Sequence, residues 1–254
     1  MISPAATECR DLEEEHRPAR IRERISRPKG EGAIGDFVLG GVDGVVTTFA
    51  VVAGSAGARL PIMTVIVLGL ANLAADGFSM AVSNYLGTRS RQQEVRRARA
   101  DEDWQTHACP EGERAEIREI FSRKGFEPPE LDRIVAVISS DRRVWVDTMM
   151  QEELRLSEIS AKPLRAGVVT FVAFSLCGFI PLLPFILGGP SELLFTRSTV
   201  LAGATFFILG LFKGAVVGGS RLVSGVQTLA VGSAAAMLAF AVGALLRDAF
   251  GLVT

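Results

Sequence analysis

Apolar residues gather in five runs, near Ile34–Ala58, Ile62–Leu86, Leu164–Leu187, Ser198–Val217 and Gly225–Leu246. Each is about 20 residues or longer, enough for a helix to cross ~30 Å of hydrocarbon. Charges concentrate instead in Met1–Glu31 and Arg89–Lys162. The pattern predicts an all-α fold: a polytopic membrane protein with five transmembrane helices and a cytosolic three-helix domain inserted between spans two and three. Residues 1–33 form a cytosolic N-terminal arm, 34–88 carry spans one and two, 89–162 form the cytosolic domain, and 163–254 carry spans three to five. Pro181 and Pro184 should end or kink the third span towards its far side.

Within 89–162, no breaker occurs before about Gln105, so the second span should continue out of the membrane as one helix. His107-Ala108-Cys109-Pro110 interrupts it. A second helix follows over Glu111–Lys124, with Ile117, Ile120 and Phe121 as its apolar stripe. After the turn at Gly125–Pro129 a third, long helix is expected from about Glu130 to Ser160. Its packed face would hold Leu131, Ile134, Val135, Ile138, Val144, Trp145, Thr148 and Met149. So small a core suggests that the domain leans on a second copy. In the arm, Ile21 and Ile25 mark a short surface helix. In span four, Gly210, Gly214 and Gly218 form a small-xxx-small ridge suited to close helix contact.

Basic residues precede span one, follow span two, open span three and lie between spans four and five. The positive-inside rule then puts the N-terminus and the inserted domain in the cytosol and the C-terminus outside. The N-terminus has no apolar core of a cleavable signal, so span one serves as the insertion signal. The net charge of −1 averages acidic and basic patches and says nothing about partners; no nucleic-acid partner is expected. Cys9, Cys109 and Cys177 lack CxxC spacing, which argues against a disulfide framework. There is no GxxxxGK[ST] loop for ATP, and neither His16 nor His107 lies in a span to support intramembrane hydrolysis. No enzyme activity and no prosthetic group are expected.

Polar residues inside the spans are the exception. Asn72, Asp76, Met80 and Asn84 recur every four residues along one helix face, with Ser79 and Ser83 beside them. Span one carries Asp43, with Thr47 one turn on and Asp36 two turns back. An ionised carboxylate at the bilayer centre costs about 2.5–3.5 kcal/mol on insertion scales, so such a group faces protein and has a task. One possibility is neutralisation of Asp43 by Lys213 of span four; the other is a cation path. In the domain, Glu113, Glu116 and Glu119 share one side of the second helix. Met149-Met150-Gln151-Glu152-Glu153 places thioethers within a turn of Glu153, and Asp101-Glu102-Asp103 closes the first helix. Each could be a solvated acidic face; together, carboxylates with thioethers suit Fe²⁺ or Mn²⁺ better than Ca²⁺ or Mg²⁺. His107 and Cys109 are possible further ligands.

At these residues the sequence resembles the vacuolar iron transporter family. The resemblance runs from Asp36 to Leu246. It is carried by Asp43-Gly44-Val45-Val46-Thr47-Thr48-Phe49-Ala50-Val51-Val52-Ala53-Gly54, by Ala71–Arg89, and by the Met149–Glu153 run. It implies a dimer with a pore between the first spans of two subunits, and a cytosolic metal-binding domain. By that resemblance Asp43 and Met80 line the translocation site, with Asp76 a turn away. Glu102, Glu113, Glu116, Met149, Met150 and Glu153 gather ions. Asn72 stands where plant members carry Glu, and Gln105 where a further acidic ligand is expected. The expected activity is movement of Fe²⁺, with Mn²⁺ as a second cargo, out of the cytosol in exchange for protons. A bacterial inner membrane is expected rather than a vacuolar one. The alternative is a membrane-anchored protein that sequesters or senses metal without transporting it.

Overall fold

The structure is a computed structural model that describes residues 16–26, 33–156 and 162–251. The first 15 residues, with Cys9, and residues 157–161, where the sequence predicts the end of the third domain helix, lie outside the described residues. Two compact units are distinguished, Met1–Glu31 and Gly32–Thr254. In the first, α1 (Pro18–Ser26) is the short helix marked by its two isoleucines, and Ile25 is exposed.

The second unit contains α2 (Ala33–Gly57), α3 (Ile62–Ala108), α4 (Pro110–Arg123), α5 (Glu130–Ser140), α6 (Arg142–Glu152) and α7 (Pro163–Phe179). A 3₁₀ turn (Ile180–Leu182), α8 (Leu183–Leu187), α9 (Ser191–Val217) and α10 (Arg221–Phe250) complete it. Among the described residues, five helical stretches are long and apolar enough to cross a membrane: α2, α3, Pro163–Leu187, α9 and α10. The fold is all-α, as the hydropathy pattern predicts. Pro181 and Pro184 do interrupt the third span, converting it to a 3₁₀ turn and a five-residue helix.

Span one, α2, packs against all four other spans. Its glycines make that possible. A Cβ at Gly40 or Gly44 would run into the carbonyl oxygens of Thr170 and Phe174 on α7, and one at Gly57 into that of Phe240 on α10. Between these contacts Val45, Phe49 and Val52 are buried with Phe174, Leu182, Phe206 and Leu209. Lipid is as apolar as leucine, so this close van der Waals fit holds the bundle. Val200, Ile208, Phe212, Val226, Val231 and Leu238 remain exposed on α9 and α10, as lipid-facing residues must. Gly210 and Gly214 meet Gly225, Ser224 and Arg221 of α10, forming the expected ridge. Gly218 does not join them. It adopts φ 74° and terminates α9 as a left-handed cap.

α3 runs 47 residues, about 70 Å, from its membrane part into the domain. The predicted third domain helix is instead two helices. Asp141 leaves helical geometry (φ −118°, ψ 111°) and its side chain accepts from the amides of Arg143 and Val144, capping α6. The break resets the helical register. Val144, expected on the packed face, is therefore exposed, while Trp145, Val146, Met149 and Met150 turn inward. Ile117, Val135, Trp145 and Met149 form one small core, and Val95, Val146 and Met150 a second. Ion pairs Arg99–Asp147 (2.5 Å), Lys124–Glu152 (2.6 Å) and Arg142–Asp103 (2.6 Å) tie the helices together.

Candidate metal-ion sites

The membrane site is built where α2 and α3 run side by side. Asp43 is half-buried on α2, and among the described residues it has no ion-pair partner. Lys213, the cation that could have neutralised it, is exposed on α9. Asp43 lies close enough to Asp76 of α3 for their charges to act on each other. Thr47 donates to the carbonyl of Asp43 at 2.9 Å and accepts from Asn72 at 3.4 Å, joining the two spans beside the carboxylates. Met80 is half-buried and packs against the bundle core. Asp76, Ser79 and Ser83 are exposed on the flank of α3 in the single chain.

One turn beyond Met80, Asn84 joins three spans. Its amide donates to Asp36 (2.8 Å) on α2 and to the Thr170 hydroxyl (2.7 Å) on α7. Asp36 is thus held within the bundle rather than left to solvent. Sequence reasoning placed Asn84 on the polar line but missed Thr170, whose hydroxyl is unremarkable in an apolar run. Thr48, fully buried, has no hydrogen-bond partner for its hydroxyl among the described residues.

In the domain, the end of α3, the start of α4 and the end of α6 bring carboxylates together. Glu102 and Glu113 are each only 4% exposed, and one oxygen of each has no hydrogen-bond partner among the described residues. Burial, and then the charges of Glu153, Glu113, Glu116 and Asp101, push the Glu102 carboxyl up to about 7. Glu113 is also raised to about 7, by burial and then by Glu116 and Glu153. Glu153 rises for the same two reasons, burial first and Glu116 second. Four of the six residues singled out in the domain thus form one electrostatic cluster. Unpaired buried oxygens on mutually repelling carboxylates are what a divalent cation would relieve.

The other two candidates sit differently. Met149 is fully buried against Ile117, Val135 and Trp145, and Met150 against Val95 and Val146, so both thioethers pack as core. His107 and Cys109 stand apart from the cluster. One His107 nitrogen meets Arg142 and the other the Asp103 carbonyl, while Cys109 is exposed. Among the described residues, no three acidic, imidazole or thiol groups converge tightly enough to hold an ion as they stand. The carboxylates are gathered but not closed on one point.

Comparison with known proteins places this geometry in context. The VIT family model matches residues 34–244. The chain is 35% identical over 224 residues to the vacuolar iron transporter of Toxoplasma gondii, covering 84% of this chain and 74% of that protein. It is 34% identical over 206 residues to vacuolar iron transporter 1 of Arabidopsis thaliana, covering 81% and 82%. With vacuolar iron transporter 1 of Eucalyptus grandis it shares 29% identity over 239 residues, 94% of this chain and 93% of that protein.

Proposed function

Because this chain belongs to the VIT family, we propose that it is an integral membrane transporter of iron, moving Fe²⁺ and secondarily Mn²⁺ out of the cytosol in exchange for protons. The observation that carries the reading is the pairing of Asp43 with Asp76 in adjacent spans, with no cation partner for Asp43 among the described residues. An intramembrane carboxylate with no countercharge, and a second within electrostatic reach, marks an ion path by default. Thr47, Asn72 and Met80 supply neutral oxygen and sulfur beside them. A hard-plus-soft donor set of this kind suits a borderline divalent ion.

In this reading the domain acts first. Glu102, Glu113, Glu116 and Glu153 collect ions at the foot of α3 and close around them, drawing on Met149 and Met150 when α6 shifts. The ion then passes along the flank of α3 to Asp76, Met80 and Asp43. Binding there displaces protons, and their release on the loading side with recapture on the other couples the two movements. The flank bearing Asp76, Ser79 and Ser83 is exposed in one chain, which a second copy would cover, completing the path as a homodimer. The inserted domain and N-terminus face the cytosol, and a bacterial inner membrane is the host.

The test is Fe²⁺ uptake into proteoliposomes. Asp43→Asn and Asp76→Asn should each reduce the initial rate by at least tenfold, and Mn²⁺ should compete better than Zn²⁺. Uptake unchanged in both variants would remove Asp43 and Asp76 from the path, and no uptake by the native chain would leave the metal-sequestration alternative in place of transport.

A further inference from the structure

We propose that the groove between α3 and α7 is a binding site for an anionic phospholipid, with an acyl chain on its apolar wall and the phosphate-bearing headgroup at Arg89. The cavity is about 350 Å³, walled by Phe78, Val82 and Tyr85 of α3 and by Leu164, Val168 and Phe171 of α7. It exists because the two helices touch along one line and part beside it. Gly167 is the point of contact: a Cβ there would lie 2.9 Å from the Ala81 carbonyl oxygen and 3.2 Å from the Tyr85 Cβ. Phe78, Val82, Tyr85 and Arg89 follow one another along a single face of α3. From Phe78 to Arg89 that face extends about 16 Å, the reach of an acyl chain's upper half plus its headgroup.

Polarity changes at one end of the groove only. There Arg89 donates to the Tyr85 hydroxyl at 3.3 Å. Among the described residues Arg89 has no carboxylate partner, nor do Lys162 and Arg165, which are exposed at the same end where α7 begins. Three uncompensated cations at the membrane end of an apolar groove complement a lipid phosphate, and interhelical basic pockets of this kind favour anionic headgroups. A second copy is a poorer occupant. The polar flank that needs covering, with Asp76 and Ser83, projects from a different side of α3. The site depends on the membrane-spanning fold and not on the cargo, so its failure would leave the metal reading untouched.

Native mass spectrometry of the purified full chain tests it, with equimolar phosphatidylglycerol and phosphatidylcholine of identical acyl chains. Phosphatidylglycerol adducts should predominate. Arg89→Ala and Arg165→Ala should each reduce that preference roughly fivefold, the weight of one basic residue near an anionic lipid surface. Phosphatidylcholine adducts should persist in both variants. Val82→Trp, which fills the groove from its open side, should remove adducts of both lipids, with unchanged far-ultraviolet circular dichroism reporting that the helices remain. Equal retention of the two lipids by the native chain overturns the proposal. So does an unaltered preference in Arg89→Ala, or full retention of both lipids in a helical Val82→Trp protein.

Discussion

Glu102 and Glu113 carry the clearest chemical signature in the molecule. Both are buried, both keep an oxygen without a partner among the described residues, and burial with neighbouring carboxylates pushes both up from about 4.5 to about 7. The sign of the consequence follows from linkage. A carboxylate whose folded value is raised favours the folded state most below its unfolded value, and that contribution is lost as pH rises from about 4.5 through 7. The metal-free domain should therefore loosen between pH 5 and pH 8, and a divalent ion should restore it. Metal binding must displace the protons held below pH 7. Affinity for Mn²⁺, measured by calorimetry in buffers of different ionisation enthalpy, should rise from pH 6 to pH 7 and then level. The slope should approach tenfold per pH unit for each proton released, and Glu102→Gln should flatten it. An affinity independent of pH across this range would remove these carboxylates from the site.

At the scale of elements, the bundle depends on backbone contact that only glycine permits. Gly44→Ala drives a methyl into the Phe174 carbonyl of α7, whereas Gly35→Ala, nine residues earlier on the same helix, meets nothing within 4 Å. The first should cost about 1–3 kcal/mol and lower the midpoint of thermal unfolding in detergent by several degrees. The second should be neutral or slightly stabilising, because alanine is the better helix former. Equal midpoints for the two variants would mean that α2 and α7 do not meet this closely.

The spans were legible from sequence because twenty apolar residues in a row have few other uses, and Asp43 and Asp76 stood out against them. The break at Asp141 was not legible. Apolar positions recur on both sides of it, from Leu131 to Met149, and periodicity alone does not register an aspartate that prefers to cap. Met149 was expected on the packed face and is buried there, but the inward turn of Val146 and Met150 was hidden for the same reason, since it follows from the register that Asp141 resets. Asn84 bonding to both Asp36 and Thr170 depends on residues 48 and 86 positions away. No local pattern encodes such a meeting.

Across the whole molecule, two acidic clusters lie on one continuous 47-residue helix. Glu102 sits near its domain end and Asp76 in its membrane part, with Asp43 alongside on α2. One rigid rod thus connects the place where ions would gather to the place where they would cross. In the proposed function, exchange of protons for metal at the membrane carboxylates is what would make the arrangement a transporter rather than a store. Simultaneous recording of Fe²⁺ entry and of internal pH in proteoliposomes tests that claim most directly. Fe²⁺ should enter as protons leave, with both fluxes falling together when the pH gradient is collapsed and together again in Asp43→Asn. Fe²⁺ entry that continues at the native rate in Asp43→Asn, with no accompanying proton movement, would contradict it.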